Sequence, residues 1–262
     1  MDKKISIIIP AYNEEKSIRD FLLKIPKDLN PEIIVVDDGS TDNTYSEAKF
    51  NGAKVIRNPR NLGYGAAILR GIKYATGDII VTVDADGQND AREIKNLVEP
   101  ILRGEADFIV GSRTLGRVEK PIPIYKRIGE IFVHLIIKIC YGKTVTYSQS
   151  GFRAIRKDII EKITPFDEKH FGFTMELLVK ILKNRVKFKE IPITYYERKT
   201  GKSHVDVIKD GLRILWVLFK TMAFKRRTIQ WVNNHNDNIN YKMNNNKKVK
   251  MNKKSKTKKN NN

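Results

Sequence analysis

Five short apolar runs, at residues 5–9, 33–36, 55–56, 79–83 and 108–110, punctuate the first 110 residues of this chain. They are continuous rather than alternating. A strand of that kind is buried on both faces, as in a parallel sheet covered by helices. Stretches of helical length lie between them, at residues 14–29, 44–51, 66–75 and 91–103. Repeated βα units imply an open α/β sheet, and such sheets bind ligands beyond the carboxyl ends of their strands. The residues that follow each run are therefore where chemistry is expected.

Those residues are polar and mostly acidic. Pro10-Ala11-Tyr12-Asn13-Glu14 follows the first run, and Asp37-Asp38-Gly39-Ser40-Thr41-Asp42 the second. Asp84-Ala85-Asp86-Gly87-Gln88 and Gly111-Ser112-Arg113 follow the fourth and fifth. Two carboxylates two apart where a strand ends can turn into one cleft. Hard oxygen donors of this type suit Mg²⁺ or Mn²⁺, whose other positions are filled by water and substrate phosphates. The competing reading makes Asp84 and Asp86 turn or N-cap acids ahead of the helix at residue 91. Asp37 and Asp38 form an acceptor pair suited to the base or ribose of a nucleotide, while Asp42 suits an N-cap. Gly63 and Gly65 do not complete a G-x-G-x-x-G after the first strand, and no G-x-x-x-x-G-K-[ST] loop occurs. NAD-dependent and P-loop chemistry are accordingly not expected.

Composition sets further limits. The 262 residues carry 50 Lys+Arg against 30 Asp+Glu, a formal charge of +20, with 40% hydrophobic residues. A single cysteine, Cys140, excludes an internal disulfide framework and a cysteine-built zinc site. The four histidines are too scattered for a metal cluster. Nine lysines fall in residues 242–262, which contain no acid. Such a segment has too few apolar groups to offset ordering entropy, so residues 225–262 read as a basic, disordered tail behind a domain at 1–224. No uncharged apolar stretch approaches the ~20 residues of a transmembrane helix. The first apolar run is short and strand-like, not a leader.

Two segments have helical amphipathicity. Ile124, Ile128, Ile131, Leu135 and Ile139 share one face over residues 124–141, opposed by Arg127, Glu130, His134 and Lys138. Ile208, Leu212, Leu215, Phe219 and Met222 do so over residues 207–224, beside Lys209, Arg213 and Lys220. Core-facing helices are the commonest fate of this pattern. Adjacent cations with Trp216 and Phe219 favour helices lying in a lipid interface.

Taken in order, Pro10-Ala11-Tyr12-Asn13-Glu14, Val36-Asp37-Asp38-Gly39-Ser40, Asn61-Leu62-Gly63, Asp84-Ala85-Asp86-Gly87-Gln88, Gly111-Ser112-Arg113 and Ser150-Gly151-Phe152-Arg153 resemble family 2 glycosyltransferases of the dolichyl-phosphate mannosyltransferase type. The resemblance spans about residues 5–224. It implies a GT-A fold, a nucleotide-sugar donor (GDP-mannose favoured, a UDP-sugar next), a divalent metal, inversion at the anomeric carbon and a polyprenyl or dolichyl phosphate acceptor. It also implies peripheral attachment at the cytoplasmic face of a membrane; nucleic acid is not an expected partner. By position, Pro10, Ala11, Tyr12, Glu14, Asp37 and Asp38 would contact the nucleotide. Asp84, Ala85, Asp86 and Gln88 would surround metal and diphosphate, with Asp86 central to catalysis. Arg113, Arg127 and Arg198, with Lys202, Ser203 and His204, would meet the lipid phosphate. The family places an acid shortly before its Ser-Gly-Phe-Arg motif, and this chain has Tyr147 there. Were the acceptor a saccharide hydroxyl, a general base would be needed, and Glu176 is the candidate. A third reading makes the chain a basic binding module whose acids are structural.

Overall fold

A computed structural model of the chain describes residues 3–119, 124–198 and 207–223. The strands are β1 (Ile5–Ala11), β2 (Glu32–Asp37), β3 (Lys54–Arg57), β4 (Ile79–Thr82), β5 (Phe108–Val118), β6 (Arg153–Arg156) and β7 (Phe188–Tyr195). They form a single seven-stranded sheet among the described residues, in the order β3-β2-β1-β4-β6-β5-β7. β1 to β4 pair in parallel. β6 is antiparallel to both β4 and β5, and β7 is parallel to β5. With one reversed strand between them, β4 and β5 point the same way. The carboxyl ends of β1, β2, β4 and β5 therefore share one edge, as the apolar runs imply.

The sheet is mostly parallel with helices on its faces, as expected. The alternating side chains of β1 separate the two layers. Ile5, Ile7 and Ile9 face a core with Phe21 and Leu22 of α1 (Ile18–Leu23) and with Ile94, Leu97, Val98 and Ile101 of α4 (Ile94–Leu102). On the opposite face Ile8 meets α3 (Tyr64–Tyr74), where a Cβ on Gly71 would stand 2.4 Å from Ile8 Cγ2. Glycine there lets helix and sheet approach closely. Ile7, Ile8 and Ile9 have no exposed surface. Burying each such side chain contributes roughly 1.5–3 kcal/mol.

The remaining helices are α2 (Thr44–Phe50), α5 (Ile124–Tyr141), α6 (Lys157–Ile163), α7 (Gly172–Lys183) and α8 (Val207–Ala223). The helix expected over 14–29 is shorter than its pattern. After α1 the chain passes Pro26 into a single 3₁₀ turn at Lys27–Leu29, closed by left-handed Asn30 (φ 40°). Proline removes a donor and restricts the residue before it, which ends the α-helix. α2 starts at Thr44 with Asn43 as the boundary residue, yet Asp42 Oδ1 accepts its Thr44 N–H at 3.0 Å, so the expected capping contact is made from one position further out. No helix among the described residues is long and apolar enough to cross a membrane. The proposed boundary at 224/225 and the basic tail lie outside the described residues.

Candidate active site

In the strand order 3-2-1-4 the chain winds one way from β1 and then returns to β1's other side. Loops leaving β1 and β4 diverge there, which opens the crevice used for ligands in doubly wound sheets. Tyr12-Asn13-Glu14 leaves β1 at this point, and Asp84-Ala85-Asp86 leaves β4.

The first loop is held by the second. Asn13 adopts φ 56°, accepts the Thr41 N–H on Oδ1 at 2.9 Å and donates its own N–H to Ser40 Oγ at 3.0 Å. Glu14 N–H donates to Thr44 Oγ1 at 2.8 Å. This leaves the half-buried Tyr12 and the buried Glu14 carboxylate at the crevice, with Pro10 and Ala11 still in the β1 ladder.

After β4, Asp86 Oδ1 accepts the Gln88 N–H at 3.0 Å across a turn at Gly87 (φ 73°). The end of β7 is laced onto this turn. Tyr196 N–H donates to the Gln88 carbonyl at 2.8 Å, and the Gln88 amide donates to the Tyr196 carbonyl at 3.3 Å. Two residues on, Arg198 ion-pairs with Glu14 and approaches Asp86 Oδ2 to 3.8 Å. Glu14, Asp84, Asp86 and Arg198 thus meet, although they come from three strand ends far apart in sequence.

Burial pushes the Asp84 carboxyl upward, and the neighbouring Asp86 charge adds to this. Burial raises Asp86 as well, against the Gln88 N–H and Arg198. Glu14 is likewise raised by burial, opposed by Ser17 and Arg198. A shielded carboxylate pair that repels itself is a natural receptor for a cation. Gly151 supports this reading, because a Cβ there would stand 2.4 Å from Asp84 Oδ2. Among the described residues no three His, Cys, Asp or Glu converge as a complete protein-built metal cage. Two hard oxygen donors of this kind fit a magnesium-type ion that takes its other ligands from water and phosphate.

Arg113 lies on the same edge inside an aromatic and acidic cage. Its guanidinium carbon is 4.2 Å from the Tyr147 ring centre and 5.0 Å from that of Tyr195, and its Nη2 lies 2.7 Å from Glu130 of α5. Tyr147, the departure from the family pattern, is a stacking partner where an acid would be a counter-ion. The counter-ion here comes from the helix instead. Glu190 of β7 fixes the turn that carries Tyr147, accepting the Thr146 and Tyr147 N–H groups at 2.8 and 3.0 Å.

The remaining expected site residues make contacts of their own. Asp37 is fully buried; its oxygens accept the Ser40 N–H at 2.9 Å and face Arg57 Nε at 3.1 Å. Asp38 accepts Asn58 Nδ2 at 2.6 Å and the Leu62 and Gly63 N–H groups at 3.0 and 2.8 Å. Both carboxylates organise loops beside the crevice, because unpaired backbone donors there outcompete an open position. Glu176, the general base expected for a hydroxyl acceptor, is engaged in structural contacts. It is buried in α7, accepts the Asp167 and Glu168 N–H groups at 3.1 and 2.9 Å and pairs with Lys180 at 2.7 Å. Ala85 is buried, Gln88 turns its amide to the Tyr196 carbonyl, and Arg127 is exposed on α5. Lys202, Ser203 and His204 lie outside the described residues. Sequence reasoning missed Glu130, Glu190 and Tyr195 as the surroundings of Arg113, and Tyr64 beside Asp84; none of them sits within a recognisable motif.

Comparison with known proteins agrees with this geometry. The profile of Glycosyl transferase family 2 matches residues 6–164. The UDP-N-acetylglucosamine–dolichyl-phosphate N-acetylglucosaminyltransferase of Methanococcus voltae is 36% identical over 239 residues, covering 83% of this chain and 95% of that protein. The dolichol-phosphate mannosyltransferase of Pyrococcus furiosus is 34% identical over 232 residues, covering 83% of this chain and 64% of that protein. Among solved structures, glucosyl-3-phosphoglycerate synthase from Mycobacterium tuberculosis, in complex with Mn²⁺, UDP and glucosyl-3-phosphoglycerate, superposes with a TM-score of 0.67 at 23% identity, over 86% of this chain and 82% of that one. That likeness is one of fold, the GT-A arrangement. An acid-lined crevice at the β1/β4 divergence, on a sheet of this order and with relatives of this kind, makes the chain a member of glycosyl transferase family 2.

Proposed function

We propose that this chain transfers a single sugar, mannose from GDP-mannose, to the phosphate of a polyprenyl or dolichyl phosphate at a membrane surface. The observation that carries the reading is the meeting of Asp84, Asp86, Glu14 and Arg198 at the divergence of β1 and β4, with Arg113 on the same edge. Asp84 and Asp86, with Gln88 beside them, would hold Mg²⁺ or Mn²⁺ against the donor diphosphate. When bound, such an ion neutralises charge on the departing diphosphate.

A phosphomonoester has its second pKa near about 6 and reaches a neutral site already largely dianionic. One of its oxygens forms the bond to the anomeric carbon as the bond to the nucleoside diphosphate breaks, and that diphosphate keeps the electron pair. No proton has to be removed. What this acceptor requires is placement and charge compensation, and arginine supplies both through its planar fork. Arg113 and Arg198 fill that role, with Arg127 and the segment carrying Lys202, Ser203 and His204. The incoming phosphate takes the place on Arg113 that Glu130 now holds. Attack opposite the leaving group gives inversion. A saccharide-hydroxyl acceptor would need a base, and Glu176 is shut in by backbone donors. The Methanococcus relative is named for a UDP-sugar, so UDP-N-acetylglucosamine is the second donor to try.

The membrane assignment rests on α5 and α8. Val133 and Ile137 hold α5 to the protein, while Ile124, Ile128, Ile131, Leu135 and Ile139 are 52–75% exposed. Leu212, Trp216 and Phe219 of α8 are 53–65% exposed. Apolar rows of this size left outside a core suit the acyl–headgroup boundary.

The test is transfer of radiolabel from GDP-mannose to dolichyl phosphate with Mn²⁺, beside UDP-N-acetylglucosamine and UDP-glucose. Label should enter organic-extractable lipid. Label confined to water-soluble glycan would overturn the acceptor assignment. Melting with each nucleotide sugar and Mn²⁺ ranks the donors independently of turnover, because a tight ligand raises apparent stability.

A further inference from the structure

The Asp84 carboxylate is confined from two sides by residues outside the acidic motif. On one side the phenol of Tyr64, the first residue of α3, stands next to it. On the other, the missing side chain of Gly151 leaves the space its oxygens occupy, since a Cβ there would be 2.4 and 2.7 Å from Oδ2 and Oδ1. A carboxylate between a donor and a wall has little freedom to rotate.

Tyr64 is itself held firmly. Its ring stacks on Phe171, with centroids 5.4 Å apart and planes 17° from parallel. Phe171 lies in the turn that enters α7, and that turn is fastened to the start of α3. Lys169 O accepts the Ala66 N–H at 2.9 Å, and a Cβ on Gly63 would stand 2.4 Å from His170 Nδ1. Glu176 secures the turn by accepting the Asp167 and Glu168 N–H groups, and Arg213 of α8 pairs with Glu168 at 2.8 Å. The phenol therefore sits on a braced platform, fixed through its ring to the turn before α7.

We propose that Tyr64 is a positioning residue for the cation site: seated on Phe171, its hydroxyl holds the Asp84 carboxylate against Gly151 in the orientation that receives a divalent ion. The proposal rests on the assignment of Asp84 and Asp86 as cation ligands. A group that hydrogen-bonds a ligating carboxylate sets its direction, and losing such a group costs about 10–100-fold in metal affinity or activity. Tyr64 is not a catalytic residue here. It acts through Asp84.

The experiment is a titration of the full chain with Mn²⁺ alone, following free Mn²⁺ by electron paramagnetic resonance. Tyr64→Phe keeps the stacked ring and removes only the hydroxyl. It should weaken Mn²⁺ binding about 10-fold or more, and transfer should recover at high Mn²⁺, so that the metal requirement rises while kcat at saturation stays within about threefold. Gly151→Ala should weaken Mn²⁺ binding through the opposite wall. In a cycle with Asp84→Asn, adding Tyr64→Phe should cost far less than it does alone, because the carboxylate it orients is already gone. Wild-type Mn²⁺ affinity in Tyr64→Phe or in Gly151→Ala would overturn the proposal. So would full additivity with Asp84→Asn, the signature of a merely structural side chain. If the unaltered chain binds no Mn²⁺, the cation assignment falls and this proposal falls with it; if it binds and Tyr64→Phe binds equally, only the role of Tyr64 is refuted.

Discussion

Glu32 opens β2 at the edge of the sheet remote from the crevice, and there it ties three strands and a turn together. Oε2 accepts Ser6 Oγ of β1 at 2.7 Å and the Thr76 N–H and Oγ1 at 2.8 and 3.0 Å. Oε1 takes Lys54 Nζ of β3 at 3.3 Å. Partial burial works to raise this carboxyl, but Ser6, Thr76 and Lys54 outweigh it and hold the pKa at about 2, against an ordinary 4.5. A carboxylate depressed in this way stabilises the folded chain above pH 4.5. That contribution is lost as pH falls through the interval from 4.5 to about 2. Solvent screening of this partly open carboxylate reduces what the shift contributes, to about 1–2 kcal/mol at neutral pH. Glu32→Gln keeps the shape and removes the charge. Urea denaturation should show it about 1–2 kcal/mol less stable than the unaltered chain at pH 7, a loss of roughly 2–8 °C in Tm. The gap should narrow below pH 4.5 and close near pH 2. Because this edge lies opposite the crevice, kcat/KM at pH 7 and 25 °C should be unchanged. A gap independent of pH, or one that widens in acid, would refute the reasoning.

Three further outcomes are expected. Asp86→Ala should lower transfer by at least ~10³-fold while leaving the melting curve of the metal-free chain near that of the unaltered one; retained turnover would remove the cation assignment. Glu176→Gln should cost roughly 2–4 kcal/mol, measured by urea denaturation, because a charge-assisted set of contacts under the turn before α7 is weakened. The pH–rate profile should keep its shape, whereas loss of the acidic limb would restore Glu176 as a base. Replacing Ile131 and Leu135 together with Glu on the outer face of α5 should reduce flotation with anionic vesicles by at least ~100-fold, from about 1.5–3 kcal/mol per buried side chain. Melting in solution should be little changed, since neither residue is in the core; unaltered flotation would refute the interfacial role of α5.

Much of the frame was legible in the chain. β1, β2 and β4 are continuous apolar runs, and nothing but a doubly covered strand accommodates them. The α5 pattern over 124–141 matches the helix Ile124–Tyr141, because its apolar spacing is local. β6 and β7 were not legible. Two of the four residues of β6 are arginines, and only the Ser148 and Thr174 carbonyls, brought from elsewhere, make Arg153 tolerable inside. β7 carries Lys189, Glu190 and Pro192, the marks of a strand near an edge, and reads as loop without its partner β5.

At the site, local order was enough to put carboxylates at the ends of β1, β2 and β4, since each simply follows its strand. Which of them remain available to a ligand was not. Asp37, Asp38 and Glu176 are chemically the same groups as Asp84 and Asp86, and they differ in which backbone N–H groups and cationic side chains reach them. For Asp37, Asp38 and Glu176 those partners lie 3 to 25 residues away in the chain, in other turns and strands, so packing decides the outcome. The same holds for Arg113, whose stacking on Tyr147 and Tyr195 and pairing with Glu130 need three separate elements in register. Sequence alone thus determined the parallel part of the sheet, its functional edge and the kind of chemistry gathered there. Tertiary structure decided which charges are satisfied and which are left open, because the energy of a buried charge depends on its neighbours in space rather than on its neighbours in the chain.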